Sequence, residues 1–196
     1  MLSLPMPGEI WLIRHGETEW SLSGAHTGRT DIPLTANGRG VAEAVGLRLA
    51  GQRFAKVLTS PLERARETCR LAGFGALAYV DPDLREWDYG EYEGRTTPEI
   101  RRENPQWNLW VDGVPRGETL EQVADRAQAV IARVEDVQGD VALFSHGHLL
   151  RILTAVWLGL DPQAARLFAL GTASVSRLGY ERETRVIRSW NLSVSA

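Results

Sequence analysis

The sequence is poor in several features, and each shortage excludes a class of protein. Cys69 is the only cysteine among 196 residues, which excludes a disulfide scaffold and a cysteine-rich zinc site and favours a reducing compartment. No apolar run reaches the roughly 18 residues that a membrane span requires. The first residues, 1–11, lack the basic and apolar regions of a secretory signal. We therefore expect a cytoplasmic protein without a membrane partner.

Lysine is also scarce, because Lys56 is the only one beside 21 arginines. A general preference for arginine codons accounts for this bias, so the number of arginines is no evidence of a phosphate site. The net charge of −3 gives no reason to expect nucleic acid as a partner. A hydrophobic share of 43% and the chain length predict one globular domain spanning 1–196. Monomer and homodimer both stay open.

The pattern of apolar residues predicts an α/β fold. Short apolar segments at 9–15, 56–60 and 76–80 are typical of strands. The clearest helix follows Thr119, with one apolar face and a capping box at its start. Strands that alternate with helices predict a three-layer α/β/α sandwich with a mostly parallel central sheet, ending in two strands joined near Glu183.

Two other helix starts are predicted from capping residues. Thr35 would cap a helix that ends at Gly51. Ser60 would cap the next helix, with Glu63 as the reciprocal partner of a capping box. This start would place Arg64 in the first helical turn. By contrast, the segment 88–118 has no regular pattern, and we expect it to be irregular and to cover a site.

Similar side chains follow three predicted strands at their carboxyl ends. Arg14 and His15 end the first strand, Arg64 follows the second, and the segment 145–148 (Ser-His-Gly-His) follows a later one. Ligands of open α/β sheets bind at this edge. Three of the four histidines lie in these strand-end motifs, although a lone histidine there is usually a bystander. Arginine, imidazole and helix-start amides together predict an anion site that contains a candidate nucleophile.

A metal site is the alternative for the two histidines His146 and His148, whose spacing occurs in some metal centres. Metal hydrolases normally add carboxylate ligands to such a pair. The segment FSHGHLLR contains no acidic residue. We therefore expect neither a metal nor any other cofactor.

Four motifs occur in an order typical of one family: LIRHGETEW, TSPLERARET, LREWDYGEYEG and LFSHGH. They span about residues 10–150. On these motifs the chain resembles the histidine phosphatase (phosphoglycerate mutase-like) superfamily. The stretches AHTGRTDIPLT and EWDYGEYEG are most similar to its small bacterial phosphatases and to its sedoheptulose bisphosphatase branch.

The resemblance implies a metal-independent phosphatase that acts on small phosphorylated metabolites, sugar phosphates among them. His15 would be the nucleophile and would form a phosphohistidine. Arg14, Arg64 and His146 would hold the phosphoryl oxygens. Glu86 would protonate the leaving oxygen and then activate water.

The two histidines are expected to differ in charge. His15 must attack as a neutral imidazole, and the two neighbouring arginines favour that form because they repel a proton. His146 is better suited to a charged role that faces the phosphate.

Four further positions are predicted to contact the substrate. Ser21 stands where many family members carry asparagine, and it can still donate a hydrogen bond to phosphate. Thr27 and Gly28 match positions that line the substrate side in relatives. Gly147 begins a helix, and its amide can approach an anion.

Two other functions are open at this stage. A phosphoglycerate mutase would use the same site, and Arg101 and Arg102 match a pair that helps bind the acidic substrate in mutases. The chain between Glu86 and His146 is shorter than in mutases, which favours the phosphatase. A non-catalytic phospholigand-binding module is disfavoured because nucleophile, clamps and acid are all present.

Overall fold

The computed structural model describes residues 8–194. Most of the segment that we interpreted as lacking a secretory signal, residues 1–7, lies outside this range. Within the described range, no helix is both long enough and apolar enough to cross a membrane.

Six strands form a single sheet in the order β3-β2-β4-β1-β5-β6. The strands are β1 (Ile10–Arg14), β2 (Lys56–Thr59), β3 (Ala78–Val80), β4 (Val141–Ser145), β5 (Val175–Glu181) and β6 (Thr184–Leu192). Strands β1 to β4 pair in parallel, and β5 is antiparallel to both β1 and β6. The mostly parallel sheet and its antiparallel C-terminal pair are thus confirmed.

Helices cover both faces of this sheet. They are α1 (Glu19–Ser23), α2 (Ala36–Arg48), α3 (Glu63–Leu71), α4 (Thr97–Glu103), α5 (Leu109–Asp112), α6 (Leu120–Val134) and α7 (Gly147–Trp157). One apolar core joins α6 and α7 to the sheet face that carries Leu12 and Leu143. The other joins α2 and α3 to the face that carries Ile13 and Phe144. The three-layer α/β/α prediction is confirmed.

Local capping explains several helix starts. Thr119 caps α6 in a reciprocal box with Gln122, as predicted, and the apolar stripe of this helix is buried. Thr35 caps α2 through its side chain. This helix ends at Arg48, and Gly51 follows in a turn with a φ of 82°.

The predicted cap of α3 is wrong. Leu62 occupies the N-cap position and its side chain makes no capping hydrogen bond, while the first amide of the helix, that of Glu63, donates to Asp31 at 2.7 Å. The Ser60 hydroxyl is instead hydrogen-bonded to His146 Nε2 at 2.7 Å and accepts from the Leu62 amide. A contact between distant segments has therefore taken the hydroxyl that the local pattern assigned to the helix. Arg64 still lies in the first turn.

The segment 88–118 is not irregular, since it contains helices α4 and α5. Thr96 and Glu99 form a capping box at the start of α4. Ile100 and Leu109 anchor the two helices in the core. Each helix is short, so its few apolar residues gave no periodic signal in the sequence.

The sheet register brings the predicted motifs together. Arg14 pairs with Ser145 across β1 and β4, and Thr59 pairs with Phe144 across β2 and β4. Because these strands are parallel, the residues that follow them leave the sheet at the same edge. That edge forms the floor of the site.

Candidate active site

A cavity of about 480 Å³ opens at this edge of the sheet. Arg14, His15, Glu86 and Gly147 line it. His146 is fully buried behind the lining, and its ring centroid lies 5.2 Å from that of His15.

The ring of His15 is held in one orientation. Its Nδ1 donates a hydrogen bond to the Gly16 carbonyl at 2.6 Å. Because a carbonyl oxygen can only accept, Nδ1 carries the proton, and Nε2 of the neutral ring keeps its lone pair. Burial, with the charges of Arg64 and Arg14, holds the pKa of His15 well below its usual value. The neutral form expected from the sequence agrees with this environment.

His146 does not have the environment of a charged group. Its Nε2 is hydrogen-bonded to Ser60, while Nδ1 is buried without a hydrogen-bond partner among the described residues. Burial and then the charge of Arg64 lower its pKa well below the usual value. Burial and the neighbouring cations therefore favour a neutral His146, whereas the sequence suggested a charged one.

Arg14 ends β1 and packs against the start of α7. Its Nη1 donates to the Leu170 carbonyl at 2.5 Å, whereas Nε is buried and unpaired within residues 8–194. A Cβ atom at Gly147 would lie 3.3 Å from this Nε, tighter than ordinary van der Waals contact. Glycine therefore permits the close approach of the guanidinium to the helix start.

Arg64 is fully buried behind the cavity lining, to which it does not contribute, and backbone carbonyls hold it. Its Nη2 donates to the carbonyls of Thr27 and Gly28, each at 2.9 Å, and its Nη1 donates to Thr30 at 3.0 Å. Its Nε, like that of Arg14, lacks a partner in the described part of the chain. Buried polar groups are normally paired. The unpaired nitrogens near His15 fit a ligand with several acceptor oxygens, whereas a further unpaired buried atom, Glu93 Oε2, is itself an acceptor and does not.

The side chain of Glu86 lies against the first amides of α7, and the residue is only 6% exposed. One oxygen, Oε1, accepts from the amides of Trp87 and Leu149 at 3.0 and 2.9 Å. The other, Oε2, accepts from the His148 amide at 3.0 Å. Three backbone donors thus point this carboxyl group into the cavity.

Two predicted substrate contacts are corrected by the structure. Ser21 lines the cavity, but its hydroxyl donates to the Thr18 carbonyl at 2.8 Å and closes the capping box of α1. Gly28 does not line the cavity; its amide donates to Glu93, and its carbonyl accepts from Arg64. A local capping bond engages the Ser21 hydroxyl, and tertiary hydrogen bonds engage the Gly28 backbone.

Other predicted residues lie at the cavity wall. Thr27 lines it, with its hydroxyl donating to Ala25. Arg101 also lines it, but its Nε donates to the Trp107 carbonyl at 2.9 Å. Arg102 is exposed and takes no part in the lining.

The segment 88–118, expected from the sequence to cover the site, forms part of the outer half of the cavity. The wall of this outer half includes Tyr89, Trp107 and Trp110. The Arg151 guanidinium stacks 4.7 Å above the Trp110 ring. The aromatic residues concentrated in WDYGEY and in QWNLW were the available signal for this surface.

Two histidines, His26 and His148, line this outer half of the cavity. His26 Nδ1 donates to the Arg95 carbonyl at 2.7 Å, so the neutral ring presents Nε2 as an acceptor. Burial lowers the pKa of His26, which favours that neutral form. His148 Nδ1 is hydrogen-bonded to the Tyr89 hydroxyl at 2.6 Å.

The structure gives no candidate metal centre among residues 8–194, where no three His, Cys, Asp or Glu side chains come together as ligands. His146 and His148 are two residues apart, but they are hydrogen-bonded to different partners, Ser60 and Tyr89.

Comparison with known proteins agrees with this geometry. An acid phosphatase of Mycobacterium tuberculosis is 42% identical over 180 residues, covering 90% of this chain and 88% of the relative. The sedoheptulose 1,7-bisphosphatase of Saccharomyces cerevisiae is 38% identical over 185 residues, covering 78% of this chain and 68% of the relative. A probable phosphoglycerate mutase of Serratia proteamaculans is 33% identical over 192 residues, covering 93% and 89%.

A solved structure supports the same relationship. The product of an open reading frame of Mycobacterium tuberculosis superposes with a TM-score of 0.90 at 40% identity, covering 95% of this chain and 98% of the other. The family model of the histidine phosphatase superfamily (branch 1) matches residues 10–193. The chain therefore belongs to the histidine phosphatase superfamily.

Proposed function

We propose that the protein is a phosphoric monoester hydrolase that acts through a phosphohistidine on His15. One observation carries the proposal. Arg14 Nε, Arg64 Nε and His146 Nδ1 are buried and lack a partner within residues 8–194, and their side chains lie near His15, whose Nε2 keeps its lone pair. Donors directed at the place where phosphoryl charge develops are the main source of catalysis in phosphoryl transfer.

The reaction proceeds in two steps. His15 Nε2 attacks phosphorus while the ester P–O bond breaks, and Glu86 gives its proton to the leaving oxygen. A water molecule then attacks phosphorus, the P–N bond to His15 breaks, and the water passes a proton to Glu86. Inorganic phosphate leaves, and both His15 and Glu86 return to their starting states.

The outer half of the cavity supports a small metabolite with hydroxyl groups, such as a sugar phosphate. The aromatic rings of Tyr89, Trp107 and Trp110 offer apolar faces, and His26 Nε2 offers an acceptor for a hydroxyl proton. The sedoheptulose bisphosphatase among the relatives agrees with this substrate class.

The segment that covers the site, 88–118, is short, and this favours hydrolysis over the mutase reaction. Arg101 is tied to the backbone of Trp107, so one of the two arginines expected to clamp an acidic substrate already has a structural partner. The part of 88–118 that reaches the cavity is built from two short helices. Water should therefore reach the phosphohistidine before a second substrate hydroxyl is held in line.

The proposal extends to the cellular setting. We infer that residues 1–196 act as one domain in the cytoplasm, on a small phosphorylated substrate and without nucleic-acid or membrane partners. The single cysteine, Cys69, is buried, and burial raises the pKa of its thiol to about 12. An inert thiol of this kind suits a reducing compartment. A homodimer is as compatible with the site as a monomer.

The test of the function is to follow the phosphoryl group. The wild-type protein should release phosphate from aryl and sugar phosphates and should carry acid-labile label on His15 after rapid quenching. His15→Ala should show neither turnover nor label, since His15 is the cavity histidine that lies beside Arg14, Arg64 and His146. Label on another residue, or unchanged turnover in the variant, contradicts the assignment.

A further inference from the structure

Glu93 is one of the three acidic residues of EWDYGEYEG, with Asp88 and Glu91, that the proposed mechanism leaves without a role. It does not line the cavity. Its Oε1 accepts from the amides of Gly28 and Thr30 at 2.9 and 3.0 Å. Both amides belong to residues 27–30, which we call the clamp loop. The Glu93 carboxylate therefore holds the clamp loop from one side.

Arg64 holds the clamp loop from the other side. Three of the loop's carbonyls, those of Thr27, Gly28 and Thr30, accept from its two terminal nitrogens. Because the guanidinium is planar and rigid, these three bonds determine the direction of its Nε–H. That Nε is the buried donor assigned above to the phosphoryl group. A shift of the clamp loop would therefore turn the donor away from its target.

The contact between Glu93 and the clamp loop leaves little free space. A Cβ atom added at Gly28 would lie 2.5 Å from Glu93 Oε2 and 2.6 Å from the Trp87 carbonyl. Burial lowers the pKa of Arg64, and nearby negative charges, Glu93 among them, oppose that shift. The carboxylate thus acts on Arg64 through geometry and, more weakly, through charge.

We propose that Glu93 is a positioning residue for catalysis, which aligns Arg64 Nε with the phosphoryl group by holding the clamp loop. The inference rests on the function proposed above. Glu93 is neither a substrate contact nor the general acid. Like Arg64 it lies outside the cavity lining, but its carboxylate is an acceptor that would repel a phosphoryl group, and its Oε1 already accepts from the Gly28 and Thr30 amides. Its effect should therefore be independent of the leaving group, in contrast to that of Glu86.

The test compares Glu93→Ala and Glu93→Gln with a matched control, Glu91→Gln. Glu91 is half-exposed, and within residues 8–194 its carboxylate forms an ion pair only with the exposed Arg116. Its variant should therefore retain wild-type activity. Glu93→Ala should lower kcat/KM about 100-fold on aryl and alkyl phosphates alike, the usual loss when a transition-state donor is misplaced. Glu93→Gln keeps an acceptor oxygen for the two amides and should remain within about fivefold of wild type.

A double-mutant cycle separates positioning from general stability. In an Arg64→Ala background, Glu93→Ala should cause no more than about a twofold further loss in kcat/KM, because the group that it positions is gone. A full second loss in that background, equal losses for Gln and Ala, or a loss limited to alkyl phosphates would overturn the proposal.

A milder change covers the case in which Glu93→Ala does not fold. Glu93→Asp keeps the charge but shortens the reach to Gly28 and Thr30, so it should still lose about tenfold in kcat/KM, and this loss should also vanish in the Arg64→Ala background. Full activity of Glu93→Asp would contradict the proposal. Phosphate release by the wild-type protein is measured first and tests the proposed function separately.

Discussion

Replacing Glu86 with glutamine should separate the two proton transfers assigned to this residue. The amide cannot donate a proton of the required acidity, so the first step loses its general acid. General acid–base catalysis is worth about 10²–10⁴-fold in rate. We expect that loss in kcat/KM for an alkyl phosphate, whose leaving alkoxide needs a proton. An aryl phosphate should lose less than about tenfold, because an aryl oxide leaves without one.

The structure also gives the cost of this change in stability. Glu86 accepts three backbone hydrogen bonds, two at Oε1 and one at Oε2. Glutamine has one acceptor oxygen, which can keep the amides of Trp87 and Leu149 while its NH₂ group faces the His148 amide. One part-buried N–H then loses its partner, which costs about 1–3 kcal/mol in the free energy of unfolding. Urea unfolding should show this loss and must precede the kinetics.

The assay uses kcat/KM because that ratio reports the steps up to formation of the phosphohistidine. With an aryl phosphate, Glu86→Gln should show a burst of aryl oxide followed by slow turnover, since the second step has lost its base. Glu91→Gln is the matched control, because Glu91 lies five residues after Glu86 and is ion-paired to Arg116 at the surface. Equal losses in kcat/KM on both substrates, without a burst, would refute the role of Glu86.

Three further outcomes are expected. Activity should survive thorough treatment with EDTA, because the proposed clamp consists of arginine, histidine and backbone amides; loss on chelation that a divalent ion restores would favour a metal hydrolase. Phosphate release should exceed the interconversion of 2- and 3-phosphoglycerate even with a bisphosphoglycerate primer, and the reverse ratio would favour the mutase. Burial lowers the pKa of all four histidines, His15, His26, His146 and His148, so below about pH 6.5 the unfolded chain binds more protons than the folded protein. The free energy of unfolding should therefore fall from pH 7 to pH 5, by up to about 1.4 kcal/mol per pH unit for each histidine that stays neutral; a urea midpoint that does not change with pH would contradict this.

Local sequence was sufficient to predict the strands, the longer helices and the strand-end residues, but not the short helices α4 and α5. The caps at Thr35 and Thr119 and the strands that end at Arg14 and Ser145 depend on neighbours within a few positions along the chain. Parallel strands leave a sheet at one edge, so the order of the motifs already predicted that Arg14, His15 and the later histidine motif would meet. The family resemblance added the roles of these residues and of Glu86, whose loop position alone is ambiguous.

Only the tertiary structure decided which polar group binds which. Ser60 is hydrogen-bonded to His146, 86 residues away, instead of capping α3. Gly28 lies between Glu93 and Arg64, which are far apart in the sequence. Every donor and acceptor that the fold brings near can take part in these hydrogen bonds. A local sequence pattern does not show which distant residues will be nearby.

Burial likewise distinguishes what the sequence predicts from what the tertiary structure decides. The sequence placed His146 beside a phosphate site, and from that position a charged imidazole was expected. The fold surrounds the ring with core residues and with Arg64, and this burial lowers its pKa. The sequence by itself determined which residues stand at the strand ends, since this depends on local pattern and chain order. Their charge and hydrogen bonding were decided by the tertiary structure, because desolvation depends on everything packed around a group.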